Sequence, residues 1–341
     1  MARGAKLKGR VWLMKGPAAI RRWWQGVDAE RRSSFARKCG IVLAWFAVIA
    51  CCAWGMAALE QRVSVHPQRK GVAVRVRLCG VPEWMPAELA GTIAESILPE
   101  SADLNDWGLT EQAFSRAAAN PWIRKVCRVE KRLTEDPRVG VLEVHAEYRK
   151  PAALVRLKGG SYAYVSDDAH RLPDEVPQWV AKLPAGPGKP ENIAYFLRES
   201  DVPPGIRCVG VHYVVIDGVA HDPPEPGHRW GSDDILDGLK LIAILWDRPS
   251  IIRQVKSVDV RNFSWRASKY EPQLRLIAQR GDEPETVILF GRFPNPEGDY
   301  VVPTERKLCN LDLYMTNHRG TLGGLARKID LQTDPATFVP Y

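Results

Sequence analysis

Residues 72 to 84 read VAVRVRLCGVPEW, and the reading of this run decides how the folded part of the chain begins. Val72, Val74, Val76 and Leu78 alternate with Arg75 and Arg77 in the period-2 pattern of a half-buried strand, which Gly80 and Pro82 end. Pro86 opens a helix in which Leu89, Ile93 and Ile97 recur every fourth residue, one apolar stripe before Pro99. A second helix is predicted with Thr110 as N-cap, Phe114, Ala117 and Ala118 facing inward, and a stop at Asn120-Pro121. Residues 125–133 and 139–149 then read as the arms of a hairpin turning through Glu135-Asp136-Pro137. In its second arm Leu142, Val144, Ala146 and Tyr148 lie on one face, and Glu143, His145, Glu147 and Arg149 on the other. The order strand, helix, helix, strand, strand predicts two helices on one face of a small three-stranded sheet, with an edge left free to recruit a further strand.

Working back toward the N-terminus, residues 41–59 read IVLAWFAVIACCAWGMAAL, nineteen positions without a charge. As a helix they span about 28 Å, enough to cross the hydrocarbon of a bilayer. Trp45 and Trp54 sit near the two ends, where indole rings favour the headgroup boundary, and Arg37, Lys38, Glu60 and Arg62 bound the run. A cleaved signal peptide of about 15 to 30 residues is too short to end near residue 58, so an uncleaved anchor is expected. Residues 1–40 carry eleven Lys or Arg against Asp28 and Glu30, while the whole chain has a net charge of +8, so everything after residue 40 is near neutral. A basic tail beside an apolar run suits anionic lipid headgroups better than nucleic acid, whose readers carry their basic surface on a folded domain. The ten positions before the run hold four basic residues and the ten after it two, which predicts a cytoplasmic N-terminus, residues 60–71 as a linker, and the C-terminal part outside. Ile20, Trp23, Trp24, Val27 and Phe35 among the arginines of residues 17–38 are consistent with a helix lying on the inner leaflet, or with a disordered basic tail.

Toward the C-terminus, residues 173–232 are rich in Pro and Gly and read as an irregular insertion with one apolar strand around Val211 to Ile216. A helix follows from Asp233 with Ile235, Leu239, Ile242 and Trp246 on one face and Ser232 as its cap. Strands are predicted at 255–261, 273–279 and 286–290, then a helix from Thr304 that groups Leu308, Leu311 and Met315. The last strand is Ala326 to Leu331.

The catalytic and metal patterns in the chain have simpler structural readings. Gly186-Pro187-Gly188-Lys189-Pro190 lacks the spacing and the hydroxyl of a phosphate-binding loop. His212, His221 and His228 are spaced by nine and seven, which fixes no common face for a metal, and no Cys-x-x-Cys pair exists. Cys79, Cys127, Cys208 and Cys309 make two disulfides in an oxidising compartment or stay as free thiols. Asp167-Asp168 reads as a hairpin turn and Asp233-Asp234 as a helix N-terminus, and the charged rows Arg128, Glu130, Arg132 and Glu143, Glu147, Arg149 as a solvated sheet face or a docking surface. No catalytic residue, cofactor or metal ligand is therefore predicted.

Asn120-Pro121-Trp122-Ile123 with Lys125-Val126, the basic pair Lys131-Arg132, and Glu147-Tyr148-Arg149-Lys150-Pro151-Ala152-Ala153 together resemble a POTRA domain, and more narrowly that of the FtsQ/DivIB cell-division family. Ser161 to Asp168 (SYAYVSDD) and Arg171-Leu172-Pro173 match the strand and Asp-turn that follow in that family. In the tail, Val287-Ile288-Leu289-Phe290-Gly291-Arg292, Lys307-Leu308 and Ala326-Arg327-Lys328-Ile329-Asp330-Leu331 resemble its later strand, helix and final strand, with Gln332 where the family has arginine. The resemblance implies an α+β protein with a single transmembrane helix, a POTRA-like βααββ domain over 72–150, and a mixed, antiparallel-rich α+β domain over 151–341. It further implies a closing strand and tail that form an open edge, on which a coiled-coil pair like FtsB and FtsL lays a strand, with Ile329, Asp330, Leu331, Gln332, Thr333, Asp334 and Tyr341 at the contact. Arg261 aligns with a further family contact. Thr333 stands where the family often has an aromatic residue, and Pro335 removes a donor that an edge strand would use.

The expected function is a single-pass membrane scaffold of bacterial cell division that binds membrane lipid and other division proteins, with no nucleic acid, cofactor or small-molecule substrate. The rivals are a POTRA-bearing secretion or outer-membrane assembly component, which usually carries several such domains or a β-barrel, and an anchored cell-wall enzyme.

Overall fold

The computed structural model describes residues 29–64, 73–100, 102–104, 106–134, 139–184, 192–294 and 301–341. The chain divides into two compact units, Met1–Lys70 and Gly71–Tyr341. The first holds α1 (Ala29–Ser64), 36 residues and so about 54 Å long. Its stretch Gly40–Leu59, with mean hydropathy 2.2, is long and apolar enough to cross a membrane. The large apolar side chains Trp45, Phe46, Ile49 and Trp54 are all exposed. The helix overruns the predicted span at both ends, while the tail before Ala29 and the rest of the predicted linker lie outside the described residues.

The second unit is mixed α+β. It opens with β1 (Ala73–Cys79), α2 (Ala87–Ile97), α3 (Leu109–Ala119), β2 (Ile123–Leu133) and β3 (Val139–Tyr148), the element order expected from the sequence. The sheet order is β1-β3-β2, with β1 parallel and β2 antiparallel to β3. Leu89, Ile93 and Ile97 of α2 are buried as their spacing requires, against Trp122, Ile123, Leu142 and Val144. In α3 the inward residues are Leu109, Ala113 and Ala117, so Phe114 and Ala118 are exposed and Thr110 lies inside the helix after Gly108 at the N-cap. Anchoring the stripe on Leu109 instead of Thr110 turns the helix by about 100°. Leu172 and Val176, from beyond the hairpin, complete this core.

The chain then turns at Arg149 into β4 (Pro151–Arg156) and β5 (Tyr162–Ser166). Arg149 is not part of a solvated row: it is buried, and it donates to the carbonyls of Pro121 (3.0 Å) and Ile123 (2.5 Å) and to Asp168 (3.1 Å). Burial raises the Asp168 carboxyl, but the Ser166 hydroxyl and Arg149 outweigh it and hold it below the usual carboxylate range. Asp167-Asp168 is thus the expected turn, made into a clamp between the two sheets.

The Pro/Gly-rich insertion is more ordered than predicted. Its strands β6 (Trp179–Leu183), β7 (Asn192–Phe196) and β8 (Cys208–Gly210) form a separate sheet in the order β7-β6-β8. The apolar strand expected at 211–216 is instead β9 (Val215–Asp217), because residues before Val215 leave the ladder.

β9 enters an eight-stranded sheet with β10 (Val255–Asp259), β11 (Leu274–Ala278), β12 (Thr286–Gly291), β13 (Ala326–Asp330) and β14 (Thr337–Pro340), in the order β14-β13-β12-β11-β10-β9-β4-β5. Pairing is parallel at β12·β13, β9·β10 and β4·β9 and antiparallel elsewhere, so the sheet is mixed. Three helices accompany it: α4 (Asp233–Trp246), the one-turn α5 (Pro249–Ile252) and α6 (Thr304–Asn317). Ile235, Leu239, Ile242 and Leu245 of α4 and Leu308, Leu311 and Met315 of α6 share one core with the sheet. Trp246, the last residue of α4, is half exposed, contrary to its place in the periodic stripe, and Ser232 occupies the N-cap without a side-chain bond. Asp234 takes over there, its carboxylate buried and accepting from the amides of Ala220 (3.0 Å) and Ile235 (2.9 Å) and from Arg266 (3.0 Å).

Candidate binding edge

The closing strand β13 was expected to be the sheet's border, and it is not. β12 pairs it on one side and β14 on the other, in the register Asp330↔Thr337, Ile329↔Phe338, Lys328↔Val339. The tail leaves β13 through a turn in which Asp330 Oδ1 accepts from the Gln332 amide (3.0 Å) and the Thr333 hydroxyl donates to the Pro335 carbonyl (3.1 Å). Those local bonds fold the tail back, and the border moves one strand outward. Among the described residues nothing pairs with the outer side of β14, and all four of its residues are exposed.

The border is fixed from beneath by α6. The rings of Tyr314 and Phe338 stack at 5.0 Å, and His318 stacks on Tyr314 at 4.1 Å while its Nδ1 donates to the Tyr314 carbonyl at 2.7 Å. A shallow hollow of about 110 Å³ opens beside them, with Leu313, Ala336 and Phe338 in its wall. Lys307 lies fully buried one turn into α6, donating to the carbonyls of Phe290 (2.7 Å) and Arg292 (2.9 Å) with its ammonium 4.3 Å from the Phe290 ring centroid. Burial pushes its pKa down to about 8. Leu313, Phe338, Val339 and Tyr341 are all exposed at this border, Phe338 on the α6 side with Leu313 and Val339 on the opposite face of the strand.

The predicted contact residues separate into four groups. Ile329 and Leu331 are fully buried and face the core; Ile329 is paired on both sides, with Ile288 and Phe338, and the Leu331 amide donates to the Leu289 carbonyl. Asp330, Gln332, Thr333 and Asp334 gather at the turn, where Asp334 is held by Arg306 at 3.1 Å. Tyr341 sits at the opposite end of β14, its hydroxyl donating to the Glu285 carbonyl just before β12. Arg261 follows β10, four strands away from β14 and so about 19 Å across the sheet. Phe338, Val339 and Leu313 carry little signal in the sequence, since TFVP is short, follows Pro335 closely and ends in Pro340, and Leu313 lies off the core stripe of its helix.

Arg261 begins an ordered loop. Its side chain is 61% exposed and lies 3.6 Å from Asp217. A Cβ on Gly218, whose φ is +83°, would come within 2.8 Å of the Arg261 backbone, so only glycine allows that approach. The buried amide of Asn262 organises the rest, donating to the carbonyls of Ser268 and Glu271 (2.8 Å each) and accepting from the amides of Ala267 (2.9 Å) and Ser268 (2.8 Å). Ser264 and Trp265 adopt left-handed φ of 52° and 63° within that clamp, and Tyr270 stands fully exposed at its rim.

His212 bonds the Val255 carbonyl at 3.0 Å, and the three histidines of the insertion do not converge on a metal among the described residues. The cysteines at 79, 127, 208 and 309 are free thiols. No family model matches the chain, and no curated protein matches it.

Proposed function

We propose that the chain is a single-pass membrane scaffold of the bacterial division machinery, similar to the FtsQ/DivIB family, which binds partner proteins by strand addition at β14. The observation that carries this reading is the outer side of β14: an unpaired strand edge among the described residues, flanked by exposed Phe338, Val339, Tyr341 and Leu313. An edge of this kind supplies main-chain hydrogen bonds for affinity, and the exposed apolar side chains on its two faces and the turn residues Asp330 to Asp334 supply selectivity. The strand-helix-helix-strand-strand unit with β1 parallel to β3 supports the POTRA-like resemblance, and the Gly40–Leu59 stretch supports an anchor. In this reading the basic N-terminus is cytoplasmic, the anchor lies in the inner membrane, and the second unit works outside, on a coiled-coil pair of the FtsB and FtsL kind.

A photo-crosslinking residue placed at Val339 of the full chain, in living cells, is expected to capture small single-pass coiled-coil membrane proteins. The same residue at Tyr270 should capture none of them, and Phe338→Asp should remove most of the Val339 adduct. Adducts with outer-membrane assembly factors, or equal capture at both positions, would overturn the reading, as would a cytoplasmic location of a reporter fused after Tyr341.

A further inference from the structure

We propose that Cys79, Glu143 and His145 form a zinc site on the outer face of the first sheet. Parallel pairing of β1 and β3 sets Cys79 directly beside His145 and Arg77 beside Glu143. Glu143 and His145, two residues apart on one strand, share a face. That face is the one opposite Leu142 and Val144, which belong to the core. The Cys79 Sγ, an imidazole nitrogen of His145 and a Glu143 carboxylate oxygen all lie within 4.8 Å of one another, and all three residues are half-buried.

Thiolate, imidazole and carboxylate are a set that favours zinc over the hard cations magnesium and calcium. Tetrahedral zinc with bonds of about 2.0 to 2.3 Å needs its ligand atoms about 3.5 Å apart, so side-chain rotations of about an ångström close the site. Both ligand-bearing elements are strands, whose backbone holds the three Cβ positions fixed while the side chains adjust. Three protein ligands leave the fourth corner for water. Binding takes Cys79 as the thiolate and releases its proton to solvent.

Three guanidinium groups surround the site and set its strength. Arg77 and Arg132 hold Glu143 at 3.3 and 3.1 Å, and Arg128 reaches His145 Nε2 at 3.5 Å. A guanidinium only donates, so the facing Nε2 carries a lone pair, as a zinc ligand must. Glu130 already contacts both Arg128 (3.2 Å) and Arg132 (3.4 Å), so it retains them when Glu143 and His145 turn to the metal. Arg77 is 63% exposed and turns into solvent. The positive surroundings make this a weaker, exchangeable site than a closed four-ligand one.

The test uses the full chain in detergent, purified without a polyhistidine tag and titrated with cobalt(II) as the zinc probe. One cobalt per chain is expected, with a thiolate-to-cobalt charge-transfer band that zinc displaces and Cys79→Ser abolishes. His145→Ala should weaken zinc binding by about tenfold or more, and Arg132→Ala should strengthen it. Variants are compared at matched circular dichroism and thermal midpoint, so that loss of fold is not read as loss of ligand. Absence of the band in the wild-type chain, or a band unchanged by Cys79→Ser, would overturn the site.

Discussion

Replacing Asn262 by alanine is expected to lower the stability of the second unit by about 3 kcal/mol. The side chain is 1% exposed and uses both its donor and acceptor atoms on backbone groups of residues 267–271. Removing it strands carbonyls and amides that have no alternative partner unless the loop opens to water, and each stranded group costs about 1 to 3 kcal/mol. The loop has reason to open, because Ser264 and Trp265 hold left-handed backbone angles that relax once the clamp is gone. Asn262→Asp keeps the acceptor but sets a carboxylate against the carbonyls of Ser268 and Glu271, so it is expected to do no better. Chemical denaturation of the full chain in detergent, followed by tryptophan fluorescence, checks the midpoint. Proteolysis near Tyr270 checks the loop. A midpoint shift below about 1 kcal/mol would show that the network is dispensable.

The second large effect concerns Lys307. Its folded-state pKa of about 8 lies below the ordinary 10.5 that it regains on unfolding, because burial penalises the ammonium. Between those two values the folded chain binds fewer protons than the unfolded one, so stability rises with pH across that window. Below about pH 8 the full penalty is present, about 3 kcal/mol. Lys307→Met keeps the length of the side chain and removes the titration. The difference in stability between wild type and Lys307→Met should therefore move in favour of wild type by about 3 kcal/mol from pH 7.5 to 10.5. Tyrosines such as Tyr148, which burial pushes up to about 12, titrate in both proteins and cancel in that difference. A flat difference would mean that the Phe290 and Arg292 carbonyls compensate the buried charge fully. Because Lys307 ties α6 to the end of β12, two strands from β14, the same variant tests whether the proposed binding border depends on that tie.

Much of this architecture is local enough to be read from the sequence. The alternation of Val74, Val76 and Leu78, the 89/93/97 stripe, and the strands at 255–259, 274–278 and 286–291 follow from periodicity, because burial of one face is what selects those residues. Phe114 and Trp246 misled for a shared reason. Bulk suggests burial, but the phase of each helix is set by smaller residues, Ala113 and Ala117 in one and Gly238 and Leu245 in the other. The short strands of the insertion and β14 were illegible because they hold three to five residues each and exist only through their neighbours. The Cys79, Glu143 and His145 cluster joins residues 64 and 66 positions apart, which no spacing rule within one segment brings together. Only the register of β1 against β3 does so.

The order in which the strands acquire neighbours bears on how the protein is made. The sheet of β1, β2 and β3 draws on residues 73–148 alone, so it closes early as the chain is synthesised. β4 follows at once and finds β5, but its other neighbour, β9, arrives about sixty residues later, and β10 later still. During that interval β4 exposes an apolar, pairing-competent flank that invites aggregation. All three strands of the small sheet, β6, β7 and β8, lie within that interval of chain, so their pairing is complete in sequence before β9 closes the larger ladder.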